Sequence, residues 1–303
     1  MNDLNAEERQ RRDAQISAQW GVDSPATREF NRARTRSFLH DIAAFFGGYR
    51  NHLLSFQDLN RIATIGEGVD LGVQQIPLHA VRGSVDRYRD FDLAFLPKHS
   101  GLRDRWERVA AARQHGLPMP PIEVYKLGDI YFVRDGHHRV SVCRNRGDQT
   151  IQARVIELTS RVPLHPDLRP DDLPKVEAYA DFIRITEANI HLPDVDLQLT
   201  YPANYARLLR HIALFRYLNR GPGEEPREWP QAVHAWYAQL YRPILDIIAA
   251  NEIMKHFPNR TPTDLYLWLA THFRQLHKRM PRPHELPEIE DNLQYYLAPF
   301  WNA

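Results

Sequence analysis

Residues 122–158 leave this chain little freedom in its local fold. IEVYKL (122–127) and IYFV (130–133) are rich in β-branched and aromatic residues, and Gly128-Asp129 between them predicts a hairpin. Asp135-Gly136 then turns the chain into HHRVSVCRNR, a predicted helix ending at Gly147, and TIQARVIEL (150–158) alternates as another strand. The unit reads strand, hairpin, strand, tight turn, helix, strand.

The flanks read differently. Before this unit, an opening charged helix is followed by Ser24 and Pro25 as N-cap and first helical position, and Phe30, Phe38, Ile42, Phe45 and Phe46 recur at roughly helical spacing up to Gly47-Gly48. Ser55 with Asp58 opens another short helix. An extended rhythm begins near Val73, and Leu102 to His115 reads as a helix stopped by Gly116. Prolines dominate 158–174, as expected of a linker. Beyond it, helices are expected at about 173–186, 204–219, 227–256 with a break at Pro243, and 262–279 with Thr261 as N-cap. Trp229, Trp236, Tyr237, Tyr241, Tyr266, Trp268 and Phe273 fall along them as a predicted helical core. The expected architecture is therefore α+β: a helical arm (1–72), a small α/β domain (73–160), a proline-rich linker (161–174) and a mainly helical domain (175–303).

Composition narrows the function classes. In 303 residues, 39 basic and 38 acidic side chains leave a net charge of +1, too near neutral for a coat that binds nucleic acid nonspecifically. One cysteine, Cys143, excludes an intrachain disulfide and a cysteine-cluster metal site. No stretch approaches the ~18 apolar residues of a membrane-spanning helix. A cytoplasmic protein with no membrane partner is expected.

The chemistry concentrates at Asp135, Gly136, His137, His138 and Arg139. A helix start offers unpaired N–H groups and a positive dipole end, which favour an anion. Gly136 allows close approach of a ligand, Arg139 can fork onto two phosphate oxygens, and the histidines can donate, titrate or bind metal. Asp135 suits a ribose hydroxyl, a magnesium ion or simply the turn. Upstream, Gly83, Ser84, Arg87 and Arg89 form a predicted turn with two cations able to close over a phosphate tail.

VRDGHHRVSVCRNRG, with the strand pair before it, resembles the phosphate-binding corner of the ParB and sulfiredoxin superfamily, whose pattern is roughly Gly-x-x-Arg-x-x-Ala. Gly136 and Arg139 match, and Val142 replaces the alanine. The resemblance spans about residues 73–158 and implies a small nucleotide-phosphate pocket, used in that superfamily for CTP-switched DNA clamping, ATP-dependent sulfinic-acid repair or phosphorylation of free serine. The reactive cysteine of sulfiredoxins is replaced by His137. The basic helix-turn-helix of ParB proteins is not evident after Pro174. The Asp-Gly-His-His-Arg string of the free-serine kinases is complete, but in place of their upstream glutamate the chain offers Asp86 and Asp90. WYAQLYRPI (236–244) and FPNRTPTDLYLWLATH (257–272) resemble a bacterial helical C-terminal domain family, which implies a helical module and no chemistry.

These readings converge on binding of a nucleotide (ATP, ADP or CTP, with or without magnesium) or another phosphorylated small molecule, with phosphoryl transfer or hydrolysis as an extension. His137 and Asp135 are the candidate catalytic residues, and Gly136, His138, Arg139, Ser84 and Arg87 the candidate ligand-binding residues. Successive helical side chains lie about 100° apart, so the two histidines are expected to divide their work. His138 would face the ligand with Arg139, and His137 would do acid–base chemistry near pH 6.5. The competing class is a noncatalytic nucleotide-switched regulator with DNA as a less favoured partner, and under either reading the chain is open to homo-oligomerisation.

Overall fold

The computed structural model describes residues 24–63, 65–220, 223–281 and 285–287, so the opening charged helix lies outside the described residues. The chain divides into two compact units between Asp172 and Leu173.

The first unit opens with helix α1 (Pro25–Gly47). The Ser24 hydroxyl caps it by accepting the Thr27 N–H at 3.1 Å, Pro25 sits in its first turn, and Gly48 ends it at φ +67°. Strand β1 (Leu54–Ser55) and helix α2 (Phe56–Ala63) follow, the Ser55 hydroxyl accepting the Asp58 N–H at 3.2 Å. Then come β2 (Gly68–Pro77), β3 (Val81–Ser84), helix α3 (Arg103–Gln114), the hairpin β4 (Ile122–Leu127) and β5 (Ile130–Asp135), helix α4 (His137–Asn145) and β6 (Thr150–Leu158).

These strands form one mixed sheet in the order β1-β3-β5-β4-β6-β2. The β1–β3, β3–β5 and β4–β6 pairs are parallel, whereas the β4–β5 hairpin and the β2–β6 pair are antiparallel. The core gathers Phe30 from α1, Trp106 from α3, Val140 and Cys143 from α4, and Val124, Val133 and Val155 from the sheet. Phe30 meets Trp106 edge-on at 5.7 Å.

The sequence reading of this unit needs two corrections. The boundary at 72/73 falls inside β2, which starts at Gly68, and β1 lies in the segment read as a helical arm. Both escape detection for a physical reason: β1 has two residues, and β2 is a largely exposed edge strand interrupted by a bulge between Asp70 and Val73, so neither shows a buried alternation. Nor is 161–172 an open tether. Val162, Leu164 and Leu168 are buried, and the Asp171 carboxylate accepts the Arg50 N–H at 2.8 Å.

The second unit is helical: α5 (Leu173–Thr186), α6 (Ala188–His191), α7 (Ala203–Leu218), α8 (Trp229–Trp236), α9 (Arg242–Ala250) and α10 (Pro262–His277). The expected break near Pro243 is a single π turn, Tyr237–Tyr241, joining α8 to α9. Widening the helix there lets the chain continue past a residue that lacks an N–H. Thr261 and Asp264 form a capping box at the start of α10. Trp236, Tyr241, Tyr266 and Phe273 form the buried centre, with Trp236 Nε1 donating to the Tyr266 hydroxyl at 2.7 Å. No helix among the described residues is long and apolar enough to cross a membrane.

Candidate functional site

The sheet topology creates the site. β3 and β5 are parallel neighbours, with Ser84 opposite Val133, so the loop after β3 and helix α4 after β5 leave the same edge of the sheet. Such carboxyl ends are where open α/β sheets characteristically bind ligands. Gly136 makes the sharp entry into α4 at φ +102°, and a Cβ there would lie 2.4 Å from Ile122 Cγ2. It also offers no side-chain cap to the first turn of α4.

A cavity of about 680 Å³ opens at this edge. Asp135, Gly136, His137, His138, Arg139 and Arg87 all line it. Ser84 does not: it is fully buried behind His137, its hydroxyl 2.8 Å from His137 Nε2 and accepting the Arg87 N–H at 2.8 Å. Ser84 therefore positions the histidine and the loop and is withdrawn from ligand contact. Arg89, expected as the second cation of that turn, instead lies over the Tyr88 ring at 5.3 Å.

The two histidines share the cleft but face different partners. His138 Nε2 lies 3.2 Å from Arg87 Nη1, and because a guanidinium can only donate, that nitrogen is the acceptor and the neutral ring carries its proton on Nδ1. His138 Nδ1 is buried without a hydrogen-bond partner among the described residues. His137 is stacked on Phe91 at 6.1 Å, and Phe91 also meets His138 edge-on at 5.8 Å, so one buried ring sets both imidazoles. Burial holds His137 at about 4, against the nearby Asp86 carboxylate, which pulls the other way. Burial and then the Arg87 and Arg105 charges hold His138 at about 3. The expectation that His137 titrates near 6.5 is thus corrected: both rings are neutral at neutral pH, because burial removes the water that would solvate the cation.

Arg139 is more constrained than an exposed helix start suggests. Its Nη1 donates to the carbonyls of Pro120 and Pro121, and its Nη2 to Asp135 at 2.6 Å. Asp135 is consequently a partner of Arg139 here, while Asp90 holds Arg87 through Nε at 2.7 Å. Asp86 also lines the cavity, 3.8 Å from His137 Nε2. Among the described residues, no group of three or more His, Cys, Asp or Glu side chains is placed to hold a metal ion.

Sequence reasoning missed three cations. Arg105 and Arg108 on α3 and Arg134 on β5 also line the cavity, giving five arginines against Asp86 and Asp135. In a chain of net charge +1, positive charge is therefore concentrated in one cleft. Val109, Ala112, Pro118 and Met119 add an apolar strip beside it. Cys143 lies on the buried face of α4, its thiol pushed up to about 12 chiefly by burial, which makes it a poor nucleophile.

No protein-family model matches this chain, and no curated protein matches it significantly.

Proposed function

We propose that the cleft at the start of α4 binds a phosphorylated small ligand, with a nucleotide as the class that fits best. The carrying observation is the convergence of an uncapped helix start, the His138 ring and five arginines on one cavity, with His138 Nδ1 buried and lacking a partner among the described residues. Each favours an oxyanion for its own reason: dipole and N–H groups, an unsatisfied donor, and net positive charge. The apolar strip of Val109, Ala112 and Met119 would face the part of the ligand that is not phosphate. The resemblance of the Asp135–Arg139 string to the ParB and sulfiredoxin superfamily points the same way. Where magnesium accompanies the phosphates, Asp86 is the lining carboxylate not committed to an arginine, and the ion would neutralise phosphate charge.

Binding without turnover is favoured over phosphoryl transfer by one feature. Neutral imidazoles held at about 4 and about 3 are weak bases and are not in the cationic form that serves as a general acid at pH 7, and the Asp135 carboxylate is engaged by Arg139. Catalysis by His137 would require the bound ligand to raise its affinity for a proton. Calorimetric titration of the full chain with ATP, ADP and CTP, with and without magnesium, tests the binding. Phosphorus NMR of the same mixtures with a small hydroxyl acceptor tests turnover. Saturable binding of at least one nucleotide is expected, with no new phosphorus resonance. Absence of binding by all three overturns the nucleotide reading, and accumulation of a phosphorylated acceptor overturns the noncatalytic one.

A further inference from the structure

Arg105 and Arg108 stand three residues apart on α3, on the same face as Val109 and Ala112, while Trp106, Ala110 and Ala111 on the other face are buried. Two like charges at this spacing repel each other across one helical turn. Neither has a carboxylate partner among the described residues to offset this. Arg108 donates through Nε to the carbonyl of Asp104, one turn back on its own helix, and Arg105 makes no hydrogen bond or ion pair among the described residues. The arginines on the other side of the cleft are engaged differently: Arg139 by Asp135 and Arg87 by Asp90. The cleft therefore has one cationic wall balanced by carboxylates and one, on α3, that is not.

We infer that Arg105 and Arg108 form a second anionic subsite, so that the ligand of this cleft carries at least two phosphate groups in one chain, the first at the start of α4 and the second against α3. This rests on the phosphate-binding reading of the α4 corner and adds what that corner alone does not specify. A single phosphate would satisfy the helix start and His138 and leave the α3 pair uncompensated. A condensed phosphate chain reaches both walls from one molecule, so the second contact costs little further loss of freedom. Val109 and Ala112, on the same helical face, would then guide the remainder of the ligand past the phosphates.

Calorimetry on the full chain with orthophosphate, pyrophosphate and tripolyphosphate tests this directly. Affinity should rise with chain length, tripolyphosphate binding about tenfold or more tighter than orthophosphate, as one added charge-assisted contact allows. In R105Q/R108Q that advantage should collapse toward parity, and R105K/R108K should restore part of it. R32Q/R34Q removes the same charge from α1 outside the cleft and should keep the full advantage, which separates a local subsite from net charge. Orthophosphate binding that is lost in His138→Asn, combined with a chain-length advantage unchanged in R105Q/R108Q, overturns the second subsite while leaving the first. No binding of any of the three phosphates overturns both. Tighter, Arg105-dependent binding of a single-stranded oligonucleotide than of tripolyphosphate would assign the α3 wall to a nucleic-acid backbone and also overturn the inference.

Discussion

The polar groups at the centre of the helical unit and those at the cleft of the sheet unit are treated differently. In the helical unit, the large side chains that carry polar atoms are paired inside the core: Trp236 donates to Tyr266, the Tyr241 and Thr263 hydroxyls lie 2.8 Å apart, and Asp264 accepts from both Thr261 and Thr200. At the edge of the sheet, among the described residues, the buried His138 Nδ1 has no partner and the exposed Arg105 no counter-charge. An unsatisfied buried donor costs roughly 1–3 kcal/mol, so the first arrangement stabilises the fold and the second costs it stability. His211 sharpens the contrast. It too is buried, held at about 4 and partnerless at Nδ1, yet it packs edge-on against Tyr266 at 6.3 Å within the helical unit instead of lining the cleft.

The largest way to break this comparison is at the corner itself. Gly136→Ala introduces a Cβ 2.4 Å from Ile122 Cγ2 at φ +102°, which combines overpacking with backbone strain. It should cost about 3 kcal/mol or more in urea unfolding and abolish phosphate binding. A loss below about 1 kcal/mol would show that the corner relaxes and that Gly136 is there for another reason.

Tyr266→Phe should act in the opposite sense. It leaves the Trp236 indole N–H buried without its acceptor and should lower stability by about 1–3 kcal/mol, read from urea unfolding, with no change in ligand affinity. Stability equal to wild type would mean that the aromatic core repacks around the missing hydroxyl.

Acid stability follows from the three buried imidazoles. Each binds its proton more tightly in the unfolded chain, near 6.5, than in the fold. Their contribution is therefore complete above about pH 6.5 and is lost as the pH falls, down to about 4 for His137 and His211 and about 3 for His138. Within that window each contributes a slope on the order of 1 kcal/mol per pH unit. Unfolding free energies measured between pH 7 and 4 should fall steeply in wild type and less steeply in His138→Asn. Equal slopes would place His138 in contact with water.

Much of the corner was legible because its signals are local. Asp135-Gly136 between a strand pattern and a helix pattern, Gly128 at the hairpin and the Thr261 cap each depend on a few neighbouring residues. The arginines on α3 were not legible, since charges three apart on an exposed helical face look the same whether they meet solvent or a cleft, and only the sheet order aims them. Ser84 shows the reverse limit. A serine beside a predicted phosphate turn reads as a ligand donor, and tertiary packing instead buries it behind His137. The histidines' protonation was equally hidden, because it is set by Phe91, Arg87 and Arg105, which lie 33 to 51 positions from His138 in sequence and meet it only through folding.

The most direct test of the account is imidazole nitrogen NMR on the full chain at pH 7 during titration with tripolyphosphate. His138 should begin as the neutral Nδ1–H form, and its Nδ1 resonance should shift saturably as the ligand binds, while His211 in the helical unit stays fixed. An unchanged His138 at saturating tripolyphosphate, or equal shifts at His138 and His211, would contradict the claim that the partnerless imidazole belongs to a phosphate-binding cleft.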